Sequence, residues 1–66
     1  MDEIKKQRLV KFLAAGLVAA THTTQGDAEK RILSELEKGR GSNEIIEDIL
    51  KTLGKKMPKN LPNYHL

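Results

Sequence analysis

The side chains able to move a proton or hold a metal are few and scattered. His22 and His65 stand far apart in the sequence and there is no cysteine. A four-ligand zinc site of the usual Cys/His kind therefore lacks ligands, and disulfides are excluded. Glu44, Glu47 and Asp48 lie close together. They could suggest paired carboxylates for acid–base work, but the first turn of a helix accounts for them, because carboxylates complement its positive end and Glu47 stands one turn before Lys51. His22 could be a pH-sensitive or ligating group; a histidine in a loop beside a helix end has an equally plain structural role. The chain has no Walker loop, no dinucleotide fingerprint and no HExxH. The expectation is a protein that is not an enzyme and carries no cofactor and no metal.

With chemistry so sparse, the elements carry the information. Leu9 to Ala20, LVKFLAAGLVAA, is apolar on nearly every side of a helix. At about 100° per residue, Leu9, Val10, Leu13, Leu17 and Ala20 share one arc, and Phe12, Ala15, Gly16 and Ala19 an adjoining one. The spacing predicts a helix from Asp2 or Glu3 to Thr21 with two apolar flanks. The large-residue flank should pack on the chain's own helices. The flank of Phe12, Ala15, Gly16 and Ala19 allows close approach of another backbone and is the expected self-association surface. The competing reading buries both flanks in the chain's own core.

Two further helices are expected. One begins near Thr24 to Asp27, carries Ala28, Ile32, Leu33 and Leu36 as a stripe, and stops at Gly39; Asp27 with Arg31 and Arg31 with Glu35 are expected surface pairs. The other is capped by Ser42 or Asn43, repeats Ile45, Ile46, Ile49, Leu50 and Leu53, and ends at Gly54. They should form a helical hairpin with facing apolar stripes. From Lys55 the composition changes to KKMPKNLPNYHL, where Pro58 and Pro62 forbid helix. The expected fold is thus all-α: a three-helix domain over residues 1–54, with a long apolar N-terminal helix and a hairpin, followed by an extended, basic, proline-containing tail over 55–66. The tail is either an arm that reaches a partner through Lys55, Lys56, Lys59, Leu61 and Tyr64, or a flap that folds back on its own core, or a disordered end.

The stretch EKRILSELEKGRGSNEIIEDILKTLG resembles the first two helices of the LuxR-type helix-turn-helix domain, chiefly through Ile32-Leu33, Gly39 and Ser42-Asn43-Glu44-Ile45. That resemblance implies a third helix that enters the DNA major groove. Here Pro58 and Pro62 occupy its place, so the base-reading element is missing and membership is not expected.

A chain of 66 residues forms one small domain that buries only about 60% of its unfolded surface, and without disulfides or metal the remaining staple is oligomerisation. The net charge of +3 comes from the two ends, while the middle is balanced with its signs interleaved, the pattern of solvated helix surface. Lys5, Lys6 and Arg8 ahead of an apolar run imitate a secretory signal, but Asp2, Glu3 and Lys11 break the imitation, and the run falls short of the ~20 residues a membrane crossing needs. A cytoplasmic protein with no membrane partner is expected. Its expected function is that of a self-associating regulator or inhibitor of a larger protein, of the kind found among small bacterial and phage proteins. The alternative is a helical nucleic-acid binder that contacts phosphates through the lysines and arginines at both ends, by salt-dependent, sequence-tolerant contacts.

Overall fold

A computed structural model describes residues 2–66 and is all-α: α1 spans Glu3–Thr21, α2 Gln25–Glu37 and α3 Ser42–Thr52. Asp2 opens α1 by accepting the Lys5 N–H at 2.9 Å, and Thr24 opens α2 by accepting the Asp27 N–H through its hydroxyl at 3.2 Å. Each side-chain oxygen satisfies a donor that the first helical turn leaves orphaned.

The helix ends also follow from local sequence. Past α2, Gly39 takes φ 92°; its N–H donates to the Leu36 carbonyl at 3.0 Å and that of Arg40 to the Glu35 carbonyl at 3.3 Å. Past α3, Gly54 takes φ 73°, with Gly54 N–H donating to Lys51 at 3.1 Å and Lys55 N–H to Leu50 at 2.8 Å. These are two Schellman closures, each requiring a left-handed residue that only glycine adopts without steric cost. α1 ends differently. His22 itself adopts the left-handed conformation at φ 57°, and its N–H donates to the Val18 carbonyl.

The core is Val10, Leu13, Ala14 and Leu17 of α1, Ala28, Ile32 and Leu36 of α2, and Ile45 and Ile49 of α3. The short turn Gly39-Arg40-Gly41 joins α2 to α3 as expected. Both apolar stripes converge on α1, which each helix contacts far more than it contacts the other. α1 is therefore the hub, and its large-residue flank supplies the buried side: Val10, Leu13 and Leu17 are enclosed, with Leu9 and Ala20 partly so.

Arg40 ties the turn to both neighbours. Its guanidinium donates to Glu35 at 3.1 Å and to Asp48 at 2.8 Å, and the hydrogen bond to Asp48, followed by that to Glu35, raises its pKa further above its ordinary value. It stays charged at any working pH, although at one-third exposure such pairing contributes only about 0–1 kcal/mol. Glu47 and Lys51 pair at 3.1 Å as expected. The expected Arg31 pairs do not form: Glu35 is taken by Arg40 and Lys38, because the turn swings Arg40 back over the last turn of α2.

The start of α3 departs from expectation. The N-cap is Gly41, one residue before the expected Ser42 or Asn43, and it has no side chain with which to cap. Ser42 is instead the first helical residue and is 1% exposed. What completes this helix end comes from the tail.

Candidate interaction surface

The tail folds back across the N-terminus of α3. The Ser42 N–H donates to the Tyr64 carbonyl at 2.7 Å, the Tyr64 N–H returns a bond to the Ser42 hydroxyl at 2.8 Å, and the Asn43 N–H donates to Asn63 Oδ1 at 3.0 Å. Asn43 Nδ2 reaches the Leu61 carbonyl at 2.8 Å. Asn63 thus stands where a capping side chain of residue 41 would stand. A Cβ on Gly41 would overlap the Asn63 carboxamide, so glycine at 41 makes room for a cap delivered from elsewhere. Two backbone donors of α3 that have no intrahelical acceptor are satisfied by this clasp.

The clasp sets Tyr64 and His65 beside α1. With Lys5, Arg8, Leu9 and Phe12 they line an open groove of about 620 Å³. Lys55, Lys56 and Lys59 lie exposed along the tail, and none forms an ion pair among the described residues. Leu61 is half-buried, whereas Tyr64 remains 51% exposed although both its backbone polar groups are engaged. The five tail residues expected to meet a partner are thus divided between an anchored end and a free basic stretch.

The other candidate surface is α1 itself. Its buried residues Val10, Leu13, Ala14 and Leu17 centre on one direction; about 180° away, within an arc of about 80°, lie Ile4, Arg8, Phe12, Ala15 and Ala19, all of them exposed. Ile4 is 64% and Phe12 70% exposed. Of the four residues expected to mediate self-association, the structure turns Phe12, Ala15 and Ala19 outward and places Gly16 at the edge. A Cβ on Gly16 would lie 3.6 Å from Ile49 Cγ2, an ordinary contact, so Gly16 faces α3 of its own chain. Sequence reasoning passed over Ile4 and Arg8 because they precede the apolar run, although the same periodicity carries the outward arc back to them.

Among the described residues no group of three or more His, Asp or Glu side chains is placed to hold a metal ion, and no helix is long and apolar enough to cross a membrane. No protein-family model matches the chain, and neither a curated protein nor a solved structure matches it. The fold defines a three-helix module whose distinguishing surface is the outer side of α1.

Proposed function

We propose that this is a small, non-enzymatic interaction module of the cytoplasm that self-associates through the outward face of α1 and regulates or inhibits a larger protein by covering part of its surface. One observation carries the reading. Directly opposite the core, where a helix that only packs inward carries polar residues, α1 presents Ile4 and Phe12 at 64% and 70% exposure, with Ala15 and Ala19 beside them and no carboxylate among them. Residues exposed this fully add little to the stability of an isolated chain, and large apolar side chains grouped on one exposed face, here on either side of Arg8, mark contact sites. For the larger protein, the free cations Lys55, Lys56 and Lys59 favour an acidic surface, with Leu61 and Tyr64 as the apolar component.

Light scattering at micromolar concentration tests self-association. The wild-type chain should exceed the mass of one chain, and Phe12→Glu should return it to that mass. Because Phe12 is exposed, the substitution should alter folding stability by no more than roughly 0.5 kcal/mol. A single-chain mass for the wild type, or a Phe12→Glu protein that assembles unchanged, overturns the proposal.

Phosphate binding is the second reading, favoured by the absence, among the described residues, of ion pairs on Lys5, Lys6, Arg8 and Lys11 as well as on the tail lysines, and by Lys5, Arg8 and His65 lining one groove.

A further inference from the structure

The outward face of α1 is uneven along its length. Its N-terminal half bears the large side chains Ile4, Arg8 and Phe12, and its C-terminal half the small ones, Ala15 and Ala19. Ile4 and Ala19 lie equally far from the point between Lys11 and Phe12, and so do Arg8 and Ala15. A two-fold axis through that point converts each large residue into the position facing a small one. We infer that the occupant of this face is a second copy of the chain, its α1 laid antiparallel so that Ile4 sits over the partner's Ala19, the Arg8 stem over the partner's Ala15, and the two Phe12 rings flank the axis. The inference rests on the self-association proposed above and specifies its geometry.

Charge selects the same arrangement. Arg8 on this face and Lys5 at its edge place cations in the first half of α1, while its last turn carries no basic residue. In a parallel pair the cations of one copy would face those of the other. Antiparallel, they approach the carbonyl end of the partner's helix, which the helix dipole makes negative and which has no cation of its own. The two helix dipoles also oppose one another. Shape acts in the same direction, since a residue pair of large on small lets two helix backbones approach, whereas Ile4 on Ile4 would hold them apart at one end and leave a gap between alanines at the other. An isologous contact of this type closes on itself at two copies.

The contact is limited in extent. One side of a single helix offers less than the roughly 1,600 Å² of a standard interface, and each copy already possesses its own core. The pair should therefore form from folded chains and exchange freely, so two variants mixed in solution will form mixed pairs.

The lack of cysteine permits a direct test. Ala19→Cys alone, treated with a short bismaleimide, should not link, because the two sulfurs lie about 22 Å apart along the antiparallel pair at 1.5 Å per residue. An equal mixture of Ile4→Cys and Ala19→Cys should link into a dimer on a denaturing gel. In an isotope-filtered spectrum of mixed labelled and unlabelled wild-type chain, Ile4 methyls should show contacts to the Ala19 methyl of the other copy, a result that needs no substitution. Ready self-linking of Ala19→Cys, or wild-type dimers without the contact between Ile4 and Ala19, would overturn the antiparallel arrangement while leaving self-association standing. A wild-type mass of one chain would remove both.

Discussion

Gly16 and Phe12 sit one turn apart on α1 and answer to different neighbours. Phe12 has none within its own chain that encloses it, whereas Gly16 lies beneath the methyl groups of Ile49 at ordinary contact distance from where a Cβ would be. Glycine inside a helix costs about 1 kcal/mol relative to alanine, and the structure offers space for one methyl group. Gly16→Ala should therefore raise the urea midpoint by an amount equivalent to about 1 kcal/mol; a lower midpoint would mean that Ile49 cannot yield even to an ordinary contact. A leucine there would instead drive into Ile49 and confuse assembly with core disruption, which makes Phe12 the better probe of self-association. At this scale periodicity resolved which side of α1 is buried, because Leu13 and Leu17 have a size and spacing that only a core satisfies. It could not tell Gly16 from Ala19: small residues leave the same trace whether they admit a neighbouring helix of the same chain or face outward. Nor did a search for partners at one-turn spacing find the Arg40 clamp, since Glu35 and Asp48 meet Arg40 across the turn between two helices.

Each helix solves the problem of its orphaned first-turn donors, and α3 solves it at a distance. The tail contributes the Tyr64 carbonyl and the Asn63 carboxamide, at the expense of leaving Asn43 Oδ1 buried without a partner among the described residues. Losing a cap costs about 1 kcal/mol. Asn63→Ala should lower stability by about that amount and speed amide exchange at Ser42, Asn43 and Tyr64 together, while the exchange of α1 amides beyond Val10 follows global unfolding only. If Tyr64 exchanged at its wild-type rate in Asn63→Ala, the carboxamide would not be what fastens the tail. The helices themselves were legible because stripes of Ile and Leu at helical spacing, closed by Gly39 and Gly54, admit few other readings. The fate of the tail was not. Its attachment is made largely by backbone groups, which every residue possesses, and by an asparagine of the kind common in any turn. A clue did stand in the sequence: glycine at the opening of a helix brings no side-chain acceptor, which leaves the first-turn donors to water or to another segment.

At the scale of the molecule, three helices with a radius of gyration of 11.1 Å form a body only 18 Å across its shortest dimension, about two helix diameters. α1 makes one layer, α2 and α3 the other. A hub helix in a two-layer body is covered on one side only, which is why a segment apolar on nearly every side keeps Ile4 and Phe12 exposed, and why its periodicity alone says nothing of what covers them. Charge is distributed with the same asymmetry. Glu35, Glu44, Glu47 and Asp48 are engaged with Arg40, Lys38 and Lys51, whereas the cations at the two ends form no ion pair among the described residues. If those cations serve phosphate, random duplex DNA should be retarded in a gel at low salt and released at physiological salt, with affinity falling steeply as counterions compete. Absence of retardation at low salt would leave protein contact as their use.

The clasp has a consequence for descent as well as for stability. Gly41 and Asn63 together make up one capping residue whose backbone and side chain are contributed by separate stretches of the polymer. A serine arising at 41 would bring its own hydroxyl and evict the carboxamide, after which nothing would select for asparagine at 63; a change at 63 would in turn relax the demand for glycine. In any lineage that carries this fold, the two positions should therefore mutate as a correlated pair.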